Sequence, residues 1–594
     1  MKKLMTGDEA VALGAYEAGV HFASAYPGTP STEILENFAA YEGVYAEWAT
    51  NEKVALEAAA GASFAGARSF SSMKHVGLNV AADPLFTFAY MGVNGGSVVI
   101  TADEPGQYSS QNEQDNRNYA KAAKMPMFEP SNSQECKDMM IEAYEVSERF
   151  NTPVLFRMTT RVCHSKSIVE VGERKEVAIK DYVKDANARV SVPANAKVWR
   201  RDVEKRFKAL AVYSESTPYN FAEYAEGSNI GVIASGISYH YAKEVFGDSV
   251  NYLKLGFTNP LPQNLITEFC SKMDKIYVVE ENDPYIEDEV RKLGFNCKGN
   301  DFFPPYGEMV PDALRAALYG EKVQTEPAPA ESAIKRDPTF CAGCPHRGFF
   351  YELGKRKDVM VAGDIGCYTL AYSAPYNAMD SCVCMGGSFS TGHGAQTVFN
   401  MGESGKRVVA VLGDSTFFHS GINSLINTIY NGSNTISVIL DNRITGMTGH
   451  QQNPGSGYTV KGEPASMIDI EAVVRALGVK HIVVIDPNKL NEVKETLDAF
   501  LKLDEPSVII TRWPCVLKKL SKEDKEEFQG VFTSKCTIDA DKCIGCKICL
   551  KTGCPSIQFD KETKKAFILP ADCVGCEVCS QVCPKDAITK KEGK

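Results

Sequence analysis

The sequence predicts a multidomain α/β protein with doubly wound, mostly parallel sheets and a small cysteine-rich α+β domain at its C-terminal end. Three observations carry this. Strand-like apolar runs alternate with helix-like stretches along most of the 594 residues, an order that favours parallel sheets. A stretch rich in Pro, Ala and charge divides the chain. Eight of the 19 cysteines lie between Cys543 and Cys583.

Residues 1–190 open with Thr6 and Glu9, a T-x-x-E capping box for a helix that ends near Gly19. VHFASAYP then reads as a strand, GTPSTEILENFAAY as a turn and helix, and GGSVVITAD (95–103) as a buried strand ending in acids. A polar, less periodic stretch covers about 190–228. NIGVIASGISYHYAKEVFG and KIYVVEEND follow and give residues 191–320 a second, smaller α/β unit. EKVQTEPAPAESAIKRDP (321–338) is the linker. In 339–517, RVVAVLGD, NTISVILDN, HIVVIDP and PSVIITRW are four apolar strands. The charged run KKLSKEDKEEF within 518–534 reads as a solvated linker helix, and 535–594 is the cysteine-rich domain.

Composition narrows the function classes. With 44% hydrophobic and 23% charged residues and a net charge of -11, the chain has the profile of a globular protein without the basic face that nucleic-acid binding needs. MKKLMTGDEAVALGAYEAG has no apolar h-region after its lysines, and LFTFAYMGV (85–93) is too short to span a bilayer. A cytoplasmic protein with no membrane partner is expected. Nineteen cysteines in such a chain point to metal or redox chemistry rather than disulfides.

Cys543, Cys546 and Cys549 are spaced C-x2-C-x2-C, with Cys554-Pro555 beyond; Cys573, Cys576, Cys579 and Cys583-Pro584 repeat the pattern. In this ferredoxin spacing the fourth cysteine of each run serves the other cluster. One [4Fe-4S] cluster is therefore assigned to Cys543, Cys546, Cys549 and Cys583, the other to Cys573, Cys576, Cys579 and Cys554. Zinc is the alternative, but its sites pair two C-x2-C units. The x4 gap before Cys554 departs from the usual x3 without removing a ligand.

VVAVLGDST (408–416) runs a strand into Gly413-Asp414, and the next strand ends in LDNRITG with Asp441-Asn442. Neighbouring parallel strands bring these ends together. Asp414, Asn442 and a backbone carbonyl near Ile444 suit Mg2+ on a diphosphate. These residues, with Ser415, resemble the thiamine diphosphate (TPP) motif, with Asp441 replacing its first asparagine. Upstream, Met385, Gly386 and Gly387 begin a glycine-rich turn suited to turning N–H groups onto phosphate; close packing is the other reading. In WATNEKVALEAAAGASFAGAR, Glu52 with Ala55, Ala59 and Gly61 matches the E-x2-A-x3-A-x-G pattern of pyrimidine-binding domains, whose acid activates TPP. An acid favoured by the helix dipole is the alternative for Glu52.

Together with AYPGTPSTE (25–33), SSQNEQDNRNYA (109–120), CAGCPHRG (341–348) and GDSTFFHSG (413–421), these motifs resemble the 2-oxoacid:ferredoxin oxidoreductases, in particular alpha subunits of the indolepyruvate type, over essentially the full chain. The resemblance implies a TPP pyrimidine-binding domain in 1–190, a transketolase-C-terminal-like domain in 191–320, a TPP diphosphate-binding domain in 339–517 and a two-cluster ferredoxin domain in 535–594. It implies oxidative decarboxylation of an arylpyruvate with coenzyme A, giving arylacetyl-CoA, CO2 and reduced ferredoxin, by an α2β2 assembly with a smaller beta subunit.

Carried over by position, Thr29 matches a threonine that contacts the 2-oxoacid; it also reads as an N-cap before Pro30. Arg117 reads as a carboxylate clamp or a salt bridge. His75 and His419 read as proton relays or structural histidines. Cys341, Cys344 and Cys367 resemble the ligands of a third, TPP-proximal cluster, with Cys515 the candidate fourth. Two other classes compete: a non-redox TPP decarboxylase or ligase with a regulatory cluster domain, and an electron-transfer subunit whose α/β domains only scaffold.

Overall fold

The computed structural model describes residues 1–320, 338–402 and 404–592. The expected linker 321–338 falls outside them except for its last residue. The chain forms two compact units, Met1–Ala333 and Ile334–Lys594.

The first unit is built on a seven-stranded sheet ordered Phe257–Asn259, Met127–Phe128, Val154–Thr159, Ser97–Asp103, Ser69–Lys74, Phe22–Ala25, Tyr45–Trp48. Its strands are parallel except for Phe257–Asn259 at one edge. Because that edge strand comes from beyond residue 190, residues 1–190 and 191–320 share a sheet. Thr6 and Glu9 form the capping box, and the helix runs Gly7–Glu17.

The unit also holds a four-stranded sheet, Lys275–Val279, Ile230–Ser235, Asn251–Leu255, Asn220–Glu223, and the antiparallel pair Lys2–Met5 with Ser167–Glu170. The stretch expected to be irregular after 190 contains the 22-residue helix Pro193–Ser214. Its buried apolar residues are only Trp199, Val203, Leu210 and Tyr213. A helix with so sparse an apolar stripe shows weak periodicity.

The second unit holds a six-stranded, all-parallel sheet ordered Ser381–Cys382, Val359–Gly363, Arg407–Gly413, Ile436–Asp441, Ser507–Arg512, His481–Ile485. The four strands read from sequence are there; the first two had no comparable apolar run. Two short antiparallel pairs, Ser534–Ile538 with Ile588–Glu592 and Ile557–Asp560 with Lys565–Ile568, frame the cysteine-rich domain.

The charged run 518–528 differs from its expectation. Ser521 caps a helix, Lys522–Glu527, but the run is not merely solvated. Lys518 and Asp524 form a buried ion pair at 2.6 Å, and Arg443 is held by both oxygens of Glu527 at 2.9 Å. The run is tied to the loop after Asp441.

Candidate functional site

In the first unit, Glu52 begins the helix Glu52–Phe64, where the Asn51 side chain caps the Val54 amide at 2.9 Å. Glu52 is buried. A Cβ on Gly77 would stand 2.7 Å from its Cγ and 2.8 Å from Oε1, so only glycine lets the helix His75–Val80 pass this close. Ala55 and Ala59 are fully buried, as close approach requires. Gly61 instead faces open space, so that part of the pattern has no packing role here.

Lys74, which the sequence reading missed, ends the strand Ser69–Lys74 beside Gly28 of the Tyr26–Thr29 loop; a Gly28 Cβ would lie 3.2 Å from its Cγ. Its contacts are long: Glu104 at 3.6 Å and the Ser109 carbonyl at 3.4 Å. Burial lowers its ammonium pKa, with the charges of Glu104 and then Glu52 opposing. The one sequence signal was a lysine at a parallel strand's C-terminal end.

Thr29 is not a helix cap. The next helix starts at Thr32, whose hydroxyl accepts the Gly28 amide at 3.0 Å. His75 is buried, with Nε2 3.1 Å from the Asn112 carbonyl; burial lowers its pKa.

Arg117 takes the salt-bridge reading, in a buried network rather than at the surface. It is fully buried, and its nitrogens are taken by Asp115 (2.5–2.9 Å), Glu280 (2.6 Å) and the carbonyls of Glu281 and Asp283 (2.8 and 3.0 Å). A guanidinium held this closely by two carboxylates and two carbonyls has little donor capacity left for a ligand.

In the second unit, Asp414 lies at the end of the strand Arg407–Gly413, next to Ile436–Asp441 in the parallel sheet. The Asn453 amide donates to its Oδ2 at 3.0 Å, and among the described residues Asp414 forms no salt bridge. Burial, then the charge of Asp441, pushes its carboxyl up to about 7. Asp441 is paired with Arg512 at 2.9 Å and Arg443 at 3.3 Å. Asn442 Oδ1 accepts the Ile444 amide at 3.1 Å, and the Thr445 hydroxyl donates to Ser415 at 2.8 Å. A buried carboxylate beside a second acid, with amide and hydroxyl oxygens around it, fits a hard divalent cation. Asn453 is the member that sequence reading missed.

The glycine turn differs from its expectation. The Gly386 and Ser388 amides donate to Asp364 at 2.8 and 2.9 Å, so they are not free for phosphate. The Ser420 hydroxyl donates to the Met385 carbonyl at 3.0 Å, and a Cβ on Gly386 would stand 2.0 Å from Ser420 Oγ. Gly387 donates to the Cys384 carbonyl at 3.1 Å. The amides of Gly386, Gly387 and Ser388 are thus engaged within the protein, as close packing of this turn would have it. His419 is buried, its Nδ1 2.9 Å from Ser420 Oγ.

The tail cysteines gather in two groups. Cys543, Cys546, Cys549 and Cys583 line one small cavity. Cys576 lies within electrostatic reach of Cys554, and the buried thiol of Cys536 lies beside those of Cys573 and Cys579. The Cys536 amide also donates to Cys573 Sγ at 3.2 Å. A third group forms from Cys341, Cys344, Cys367 and Cys515: Cys344 feels Cys367 and Cys515, and Cys367 feels Cys341 and Cys515. It borders the diphosphate loop, since the Cys515 amide donates to the Asn442 carbonyl at 3.0 Å. Arg347 donates to the Cys341 and Thr552 carbonyls at 2.7 and 2.9 Å, holding the Cys341 turn to the tail domain.

Three family models match the chain: pyruvate flavodoxin/ferredoxin oxidoreductase, thiamine diphosphate-binding, over residues 13–219; thiamine pyrophosphate enzyme, C-terminal TPP-binding domain, over 364–511; and the 4Fe-4S dicluster domain over 542–587. Among curated proteins, the chain is similar to indolepyruvate oxidoreductase subunit IorA of Pyrococcus abyssi, with 39% identity over 99% of this chain and 97% of that one. The same subunit of Methanothermobacter marburgensis is 41% identical, again over 99% and 97%. A solved 2-oxoglutarate:ferredoxin oxidoreductase from Magnetococcus marinus aligns over 52% of this chain and 63% of its own, at 18% identity and a TM-score of 0.44.

Proposed function

This chain belongs to the indolepyruvate oxidoreductase subunit IorA family of 2-oxoacid:ferredoxin oxidoreductases, and on that footing we propose that it is the catalytic alpha subunit that converts arylpyruvates, indolepyruvate first among them, with coenzyme A to arylacetyl-CoA and CO2, reducing ferredoxin. One observation carries the reading: a single chain holds the buried acid Glu52 against Gly77 and the cavity of Cys543, Cys546, Cys549 and Cys583.

Bound TPP supplies an electron sink for decarboxylation, and bound [4Fe-4S] clusters accept the released electrons one at a time. The residues here do the rest. Glu52 holds the proton exchanged with the aminopyrimidine ring. Asp414, Asn442 and the Ile444 carbonyl would hold the Mg2+ that accompanies the diphosphate, with Asn453 fixing the Asp414 carboxylate. Gly413 and Ser415 sit beside the same diphosphate. Lys74, in place of Arg117, meets the 2-oxoacid carboxylate beside Thr29. Its long contacts to Glu104 and Ser109 support this, since they leave donor capacity that Arg117 lacks. His75 and His419 serve as structural histidines.

The eight tail cysteines hold two clusters in the groups Cys543, Cys546, Cys549, Cys583 and Cys573, Cys576, Cys579, Cys554. Cys341, Cys344, Cys367 and Cys515 hold a third, a reading supported by their mutual electrostatic reach and by the Cys515–Asn442 hydrogen bond. The domain plan follows the family: pyrimidine-binding and transketolase-C-terminal-like parts in the first unit, diphosphate-binding and ferredoxin parts in the second. A smaller beta subunit, an α2β2 assembly and a cytoplasmic location complete the proposal. Cysteines spaced for clusters rather than for disulfides support a reducing compartment. No helix among the described residues is long and apolar enough to cross a membrane.

The test is an anaerobic assay of the chain with its smaller subunit, using indolepyruvate, phenylpyruvate and pyruvate with coenzyme A and a viologen dye. The aryl substrates should give CoA-dependent reduction. CO2 release without dye reduction would instead favour a non-redox decarboxylase.

A further inference from the structure

Away from these sites, three ligating side chains converge where the first helix begins. Asp8, Glu33 and His164 each offer one ligand atom, and the three atoms lie within 4.8 Å of one another. They come from separate elements: the helices Gly7–Glu17, Thr32–Ala39 and Thr160–His164. His164 Nε2 is 4.0 Å from Glu33 Oε2. That is too long for a hydrogen bond and close to the span of two ligands each about 2 Å from one ion.

Asp8 supplies the independent observation. It is 1% exposed, and neither carboxylate oxygen has a hydrogen-bond partner of ordinary geometry. Glu33 Oε2 is likewise buried and unpartnered. The thiol of Cys163 reaches the Asp8 carboxylate only as a weak donor that partly offsets its burial, and the charges acting on Asp8 are those of Glu33 and Glu9, both negative. Burial and Glu33 together push the Asp8 carboxyl well up.

The fold imposes this placement. The capping box of Thr6 and Glu9 fixes the helix's first turn. A Cβ on Gly7 would lie 2.1 Å from the Val162 carbonyl oxygen, so that turn is seated directly on the Thr160–His164 segment. A buried carboxylate facing a second carboxylate, with no cation and no good donor, is tolerated when it takes up a proton or a metal. The imidazole completing the triangle favours the metal.

We propose that Asp8, Glu33 and His164 form a divalent-cation site. Two carboxylates and one imidazole suit Mn2+, Fe2+ or Zn2+, with water filling the open positions, and the half-exposed side chains of Glu33 and His164 leave an entry path. An ion here ties the first helix to the helix that follows the Tyr26–Thr29 loop.

The probe is Mn2+, because zinc would also be drawn to cysteine thiolates. The full chain, kept anaerobic and loaded with clusters, TPP and Mg2+, is titrated with Mn2+ while the electron paramagnetic resonance signal of the free ion is followed. Wild type should take up an additional Mn2+ that His164→Gln and Glu33→Gln bind about tenfold or more weakly. Mn2+ should also raise the thermal midpoint of wild type but not of Asp8→Asn. If wild type takes up no more Mn2+ than the variants, Asp8 and Glu33 share a proton instead and the proposal fails. Because neither readout involves 2-oxoacid turnover, this result stands apart from the proposed activity.

Discussion

The carboxylate of Glu52 and the backbone of Gly77 are so close that a single methyl group on Gly77 would stand 2.8 Å from Glu52 Oε1. The helix His75–Val80 thus forms one wall of the acid's site, and any side chain at position 77 must move the acid or the helix. Gly77→Ala is expected to lower kcat by about 100-fold, the usual result of a displacement near 1 Å at a reacting group. Iron content should be unchanged. Glu52→Gln should lower kcat by about 100- to 10,000-fold through loss of the proton-transfer group, while TPP still binds. Equal TPP loading with unchanged kcat in both variants would remove Glu52 from the chemistry.

Asn453 donates to Asp414 at 3.0 Å. Asn453→Ala should therefore weaken Mg2+-dependent TPP binding by about 10- to 100-fold, as loss of a group orienting a metal ligand does. Asp414→Ala should abolish it. Titration of TPP at fixed Mg2+ reads both, and normal affinity in Asp414→Ala would relocate the diphosphate site.

Lys74 and Arg117 should separate cleanly. Lys74→Met is expected to raise KM for indolepyruvate by about 10- to 100-fold, the worth of one charged hydrogen bond, with TPP affinity unaltered. Arg117→Met leaves Asp115 and Glu280 buried without their cation and should cost about 3–5 kcal/mol of stability, measured by denaturant unfolding. If Arg117→Met folds normally and Lys74→Met keeps its KM, the roles are reversed.

Cys536 is not in the ligand spacing, yet its buried thiol lies beside Cys573 and Cys579, placed to donate to their sulfurs. Hydrogen bonds to cluster sulfurs favour the reduced, more negative state. Cys536→Ala should lower the reduction potential of the cluster held by those cysteines and leave the other unmoved, as resolved by redox-poised electron paramagnetic resonance. Equal shifts in both clusters, or none, would make Cys536 a packing residue.

What the sequence revealed followed from local chemistry. The tail cysteines are legible because a cluster is held at short, regular spacing. Glu52 and Asp414 are legible because strand ends and helix starts place an acid predictably. Partners distant in the chain are not. Asp115, two positions before Arg117, is visible in the sequence, but the other carboxylate partner of Arg117, Glu280, lies 163 positions away. Asp364 takes the Gly386 and Ser388 amides, so a turn with the composition of a phosphate cradle is closed. The strand Phe257–Asn259 joins the first sheet from across the expected domain boundary, and three residues are too few to carry a periodic signal.

The central claim is that electrons from the 2-oxoacid leave through clusters on this same chain and depend on Glu52. The direct measurement is rapid freeze-quench electron paramagnetic resonance of the anaerobic enzyme mixed with indolepyruvate and coenzyme A, without external acceptor. Wild type should develop reduced [4Fe-4S] signals within a turnover. Glu52→Gln, loaded with the same iron and TPP, should not. Absence of cluster reduction in fully loaded wild type, or equal reduction in Glu52→Gln, would contradict the account.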